Sequence, residues 1–137
     1  MNDERIEPSI EHEYSIALTV EQDRETQQQM LVARVQTTRE FTSFAYRIGL
    51  EMSCDLSKKE ITLQIGGLSI PNVMMPSNGS AVSEERIVLM PAGSYRFTAC
   101  KKARSISTDV VVTQMRAVNV VPVSNGFASV YALRHDS

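Results

Sequence analysis

Large apolar side chains alternate with small or polar residues along the chain from Phe44 to Cys54. A repeat of two residues places all the apolar members on one face of an extended strand, whereas a helix would distribute them around its axis. This pattern predicts a β-strand with one buried face. Its apolar positions are Phe44, Tyr46, Ile48, Leu50, Met52 and Cys54.

Shorter alternations flank this strand on both sides. Residues 12–21 are predicted to form a first strand, and residues 61–65 to form a hairpin with the long strand across the polar turn 55–60. The segment between the first two strands is ambiguous. Residues 25–35 fit a short helix, but the β-branched Val32 and Val35 favour a strand in which Leu31, Ala33 and Val35 point inward.

The second half of the chain carries three turn signals. Residues 86–90 and 94–100 flank Pro91-Ala92-Gly93, whose glycine can adopt a positive φ, and they are predicted to form a second hairpin. The basic residues after Cys100 are predicted to form a turn between two strands. Asn125-Gly126 separates a valine-rich run from a last strand, over residues 127–134, in which Tyr131 faces the same way as Phe127.

Seven or eight strands joined mostly by short turns predict an all-β fold, an antiparallel β-sandwich of immunoglobulin-like type, with a small β-barrel as the alternative. Residues 12–135 are predicted to form this single domain and residues 1–11 a flexible segment. The expected core includes Ile16, Leu18, Ile48, Leu50, Ile61, Leu63, Tyr95, Phe97, Val112 and Tyr131.

The segment from Met90 to Phe97 resembles a turn and strand common in bacterial immunoglobulin-like modules, where proline and glycine precede an aromatic-alternating strand. The resemblance covers eight residues and implies a fold, not a family. The chain has no tryptophan, and Thr98 stands where an immunoglobulin domain has its corner tyrosine, two residues before the cysteine.

Charge is unevenly distributed along the 137 residues, whose formal net charge is −2. Residues 1–68 carry a net charge of −5, from 7 basic and 12 acidic groups, and residues 69–137 carry +3, from 7 basic and 4 acidic groups. Opposite charges can pair inside one domain or between copies arranged head to tail. The overall balance argues against non-specific nucleic-acid binding, and no apolar run is long enough to span a membrane.

The polar start of the chain is unlike a secretory signal. A cytoplasmic protein is therefore expected if the chain is native at Met1, and a secreted or periplasmic one if a signal has been removed. Cys54 and Cys100 are expected to be reduced, buried thiols, although a disulfide between two sheets would fit an oxidising compartment.

Candidate catalytic chemistry is sparse. On a strand, Glu11 and Glu13 point away from His12, so the three residues do not converge on a metal ion. Cys54 is followed by an acid rather than by the basic surroundings of a reactive thiolate. The chain contains no nucleophile elbow, phosphate-binding loop or dinucleotide-binding motif. No catalytic, cofactor or metal site is therefore predicted.

Two surfaces are candidates for binding a partner. The first is basic and comprises Arg96, Lys101, Lys102 and Arg104, which either hold an anionic partner or form an ordinary solvated turn. The second comprises Val73, Met74 and Met75, apolar residues within a loop of turn-forming residues. They either pack against the core or contact a partner through adaptable methionines.

The function predicted from these features is non-catalytic. We expect a protein-binding or assembly module that uses a sheet edge or a loop end, with a protein partner or another copy of itself. The alternative is a β-barrel or sandwich that binds a small ligand in a cavity above about 300 Å³. A hydrolase with a site assembled from distant strands ranks third.

Overall fold

The computed structural model describes residues 13–41, 46–69 and 79–133, and these residues form an all-β fold without a helix. The described residues contain ten strands, two or three more than predicted, because the valine-rich run 109–123 is divided by a turn at Thr113 and by Pro122. The strands are β1 (Tyr14–Gln22), β2 (Gln29–Phe41), β3 (Arg47–Asp55), β4 (Glu60–Ser69), β5 (Gly79–Val88), β6 (Gly93–Lys101), β7 (Arg104–Val112), β8 (Val118–Val120), β9 (Val123–Ser124) and β10 (Ala128–Ala132).

The strands form two five-stranded sheets, so the predicted β-sandwich is confirmed. The first sheet has the order β5-β2-β1-β10-β9 and the second has the order β3-β4-β6-β7-β8. Most neighbours are antiparallel as predicted, but β1 pairs with β10, and β4 with β6, in parallel. Both sheets are therefore mixed, unlike the antiparallel sheets of an immunoglobulin domain, and the immunoglobulin-like type stays a prediction.

The two predicted hairpins have different outcomes. β3 and β4 pair in antiparallel fashion around the turn 56–59, as predicted. The second hairpin is wrong, because β5 belongs to the first sheet and β6 to the second. The intervening segment carries the chain between the sheets, and Gly93 has the predicted positive φ, of 152°. The Tyr95 hydroxyl donates a hydrogen bond to the Pro91 carbonyl at 2.7 Å and so fixes this crossing.

The core lies between the sheets and consists of the inward members of each alternation. β2 is a strand rather than a helix, and its predicted inward residues Leu31, Ala33 and Val35 are completely buried. Residues 24–26 form the turn that precedes it. Of the ten expected core residues, eight are buried and Leu50 is partly buried against the core.

Tyr131 is the exception and its predicted burial is wrong. Its side chain is 37% exposed, whereas Ala128 and Val130 on the same strand are fully buried. An alternation counted from Phe127 predicts the wrong phase, because Phe127 is buried but precedes the strand. Because the strand begins at Ala128, the even-numbered residues point inward and Tyr131 points to solvent.

Candidate functional site

The strand β3 lies at one edge of the second sheet and presents unpaired backbone groups on its outer side. The Ile48 amide donates to the Ser83 hydroxyl across the gap between the sheets, so this amide points away from β4. Backbone groups of a paired strand alternate between its two sides. The register shift between Ile48 and Leu50 adds its extra residue to β4, so the alternation continues along β3 and the amides of Leu50 and Met52 also point away from β4.

The strand β5 is the edge of the first sheet, and its register with β2 shows which amides are free. The Leu89 amide donates to the Gln29 carbonyl, and the same register places Glu85 opposite Ala33. Odd-numbered residues of β5 therefore bond to β2, and Glu84 and Arg86 direct their amides away from the sheet.

These two edges run side by side and form an open seam, by which we mean the facing edges of β3 and β5. Among the described residues, no backbone hydrogen bond joins the two strands. The bond from the Ile48 amide to the Ser83 hydroxyl, at 2.8 Å, bridges them at one point. Beside this bridge lies a cleft of about 500 Å³. Its lining residues are Arg47, Ile48, Leu50, Val82, Ser83, Glu84 and Glu85.

Two neighbouring carboxylates on β5 have different surroundings. Glu84 points to the outer face of the sheet, where it accepts a hydrogen bond from Arg86 at 2.8 Å. Glu85 lies opposite the fully buried Ala33, so its side chain points inward, into the cleft, where the residue is partly exposed. Within the described part of the chain the Glu85 carboxylate has no ion pair.

The opposite side of the sandwich is closed. There β8 is the edge of the second sheet and β9 is the edge of the first. The two strands are consecutive in the chain, which therefore connects these edges directly. The Val121 amide donates to the Asp109 carbonyl at 3.1 Å, and the Thr108 hydroxyl donates to the Val121 carbonyl. The seam is therefore the side of the sandwich at which long strand edges are left without a covering segment among the described residues.

Two members of the predicted basic surface, Arg104 and Lys101, contact other parts of the domain. Arg104 donates to Glu13 at 2.6 Å and to the Gly126 carbonyl at 3.1 Å, and its guanidinium lies 5.1 Å from the centre of the Phe127 ring. Lys101 donates to the Tyr14 hydroxyl at 2.8 Å. Both side chains therefore connect the β6–β7 turn to the beginning of β1 or to the β9–β10 turn.

The other predicted partner-binding residues are distributed differently. Arg96 is exposed on β6 and forms an ion pair with Asp109 at 3.2 Å, while Lys102 is exposed in the β6–β7 turn with a positive φ of 56°. Val73, Met74 and Met75 lie outside the described residues. The strands that flank them end and begin at Ser69 and Gly79.

The ion pairs of the described residues include three that join the acidic and basic halves of the sequence. Glu13 pairs with both Lys101 and Arg104, and Glu21 pairs with Arg86. The predicted pairing of opposite charges inside one domain is confirmed for these contacts.

Lys101 provides a pH-dependent test of this network. Its pKa is raised, chiefly by the hydrogen bond with Tyr14, while burial opposes the shift and Glu13 supports it. A raised pKa in the folded state means that the stabilisation is complete below the unfolded pKa of about 10.4 and is lost as pH rises through the folded value.

We therefore expect the stability difference between the wild type and Lys101→Met to narrow as pH rises from neutral to about 11. Urea unfolding at a series of pH values measures it. Lys102→Met is the matched control, because Lys102 is exposed, and its difference from the wild type should stay small throughout. A Lys101→Met difference that does not change with pH would contradict the assigned contact.

The two cysteines are free and partly buried. They are less buried than expected and lie on non-adjacent strands of the same sheet, not on two sheets. Burial, with a contribution from the Asp55 carboxylate, raises the pKa of the Cys54 thiol. Cys54 is thus a neutral thiol at physiological pH, as its sequence neighbourhood predicts.

The sequence does not predict the seam, although β5 contains one signal of an edge strand. The run Glu84-Glu85-Arg86 places charges on both faces of a strand, which is typical of an edge.

Across the described ranges, no group of three metal-binding side chains occurs and no helix could cross a bilayer. Comparisons with protein-family models, curated proteins and solved structures find no significant match.

Proposed function

We propose that this protein is a non-catalytic binding module that holds an extended segment of a protein partner at the open seam. The observation that carries the proposal is the pair of neighbouring edges, β3 and β5, each with amides directed away from its own sheet, beside a cleft of about 500 Å³. An extended segment can satisfy such groups by adding a strand to a sheet edge, while its side chains enter the adjacent cleft.

The side chains at the seam suit this mode of binding. Leu50 and Ile87 are partly buried and pack against the core at this side, so a bound segment would cover apolar surface in addition to pairing backbone groups. Burial raises the pKa of the Cys54 thiol, so this residue has no activated thiolate. Backbone pairing and apolar contact do not require one.

A small ligand is the second candidate, because the cleft exceeds the volume of about 300 Å³ at which ligand sites begin. The cleft lies between two strand edges rather than in the interior. A small ligand would be held by side chains and would not need the free amides of β5.

The first test removes one free amide. A random heptapeptide display library is selected against the wild type, Glu84→Pro and Glu84→Ala. Proline at this position removes an N–H that β2 does not use, whereas Glu84→Ala removes the same carboxylate and keeps the N–H.

We expect the wild type and Glu84→Ala to enrich a common set of peptides and Glu84→Pro to lose it by at least about tenfold. Circular dichroism confirms that all three proteins are folded. Peptides retained equally by Glu84→Pro would refute strand addition at β5.

A further inference from the structure

We propose that the segment held at the seam belongs to a different protein and carries a lysine or arginine that meets Glu85, with an apolar residue two positions away on each side. This inference rests on the proposed function and specifies the chemistry of the partner. It follows from the position of one carboxylate and from the composition of the chain itself.

Glu85 imposes the requirement for a cation. Its side chain points into the cleft and has no ion pair among the described residues. A strand added along β5 would remove water from this carboxylate, and a buried charge without a partner is strongly unfavourable. A segment with a cation at that position avoids this cost, whereas an apolar or acidic segment does not.

The positions two residues away follow from strand geometry. Residues i−2 and i+2 of an extended segment point to the same side as residue i. Next to a cation at Glu85, these two residues would lie level with Ser83 and Ile87 on β5, and the one beside Ser83 would displace the Ile48 amide from the Ser83 hydroxyl. Both would contact the apolar side chains on that side of the core, including Leu50. The expected pattern is therefore apolar, any residue, lysine or arginine, any residue, apolar.

The chain itself does not offer such a segment. Of its 14 lysines and arginines, Lys101 alone has an apolar residue two positions away on both sides, namely Ala99 and Ala103. Lys101 already lies in β6 and donates to Tyr14. Residues 1–12 are also an unsuitable occupant, because their acidic groups would add negative charge beside the Glu85 carboxylate. A partner of different sequence therefore fits the seam better than a second copy does.

Inward charges on edge strands also protect proteins against indiscriminate strand pairing. In this protein, protection against strand pairing and selection of a partner are compatible, because the same carboxylate disfavours an apolar strand and favours a cationic one. Glu85 then acts as a specificity-determining residue of the edge.

The test uses two labelled peptides, Ser-Val-Thr-Lys-Thr-Val-Ser and the same peptide with glutamate in place of lysine. Fluorescence anisotropy measures their affinities for the wild type, Glu85→Gln, Glu85→Lys and Glu84→Pro. We expect the wild type to prefer the lysine peptide by about tenfold or more, Glu85→Gln to lose the preference and Glu85→Lys to reverse it.

The outcomes separate the inference from the proposed function. If both peptides bind the wild type equally and Glu84→Pro abolishes both, the requirement for a cation is refuted but strand addition stands. If neither peptide binds at about 1 mM, or if Glu84→Pro binds as the wild type does, both are refuted. A dimer of the wild type that Glu85→Lys disrupts, seen by sedimentation, would overturn the assignment to a different protein. Circular dichroism of each variant excludes loss of the fold as the cause.

Discussion

Proline at Glu85 is expected to lower the free energy of unfolding by about 3 kcal/mol or more, whereas proline at the neighbouring Glu84 is expected to cost about 1 kcal/mol. The Glu85 amide pairs with β2, so proline there removes a ladder bond and leaves a carbonyl without its donor. The Glu84 amide points away from β2, so proline at this position removes no ladder bond. The expected loss of stability comes from the exposed ion pair with Arg86, which the substitution removes.

Urea unfolding of the two variants measures this difference. The pair is well matched, because both substitutions replace a glutamate in the same strand and differ by one position. Equal losses of stability would show that both amides are used in the folded protein, and β5 would then not be a free edge.

The second large effect is on stability and compares an aromatic residue on the inner face of one sheet with an aromatic residue on the outer face of the other. Phe97 is completely buried at the centre of the core, while Tyr131 is 37% exposed. We expect Phe97→Ala to lower the free energy of unfolding by about 3–5 kcal/mol, because it leaves a large cavity. Tyr131→Ala is expected to cost about 1 kcal/mol or less, since its ring fills no enclosed space.

Thermal or urea unfolding of both variants provides the measurement. The comparison tests the phase of β10 directly, because the alternation counted from Phe127 would bury Tyr131. A loss on Tyr131→Ala as large as that on Phe97→Ala would mean that the counted phase is correct and the structural one is not.

The faces of individual strands could be predicted from the sequence wherever an alternation was long. The inward sets that include Ile48 on β3 and Leu31 on β2 are placed correctly, since burial of one face of a strand imposes a repeat of two. β10 has only five residues, and its phase depended on deciding whether Phe127 belonged to it. A short alternation has too few positions to correct such an error.

Strand partners could not be predicted in the same way. Alternation specifies which face is buried but does not name the neighbouring strand. The proximity of residues 86–90 and 94–100 in the sequence favoured a hairpin, yet the turn at Gly93 joins two sheets. The parallel pairs β1–β10 and β4–β6 connect strands that are separated along the chain, so no local turn signal announces them.

The candidate site could not be predicted from the sequence for a related reason. The seam consists mainly of backbone groups, and every residue has an N–H, so their availability depends only on the pairing of strands. Likewise, the basic residues Lys101 and Arg104 suggested a surface for partners. Their contacts with Glu13 and Tyr14 join residues about ninety positions apart, which a linear pattern does not show.

The parallel pairing of β1 with β10 also determines how the domain would respond to mechanical tension. Tyr14 lies beside Ala128 and Leu18 beside Ala132, so the chain enters β1 at one end of this pair and leaves β10 at the other. Tension applied through Glu13 and Leu133 would slide the two strands past each other and load all of their hydrogen bonds at once, instead of opening them one by one. We expect a domain with this geometry to resist extension through β1 and β10.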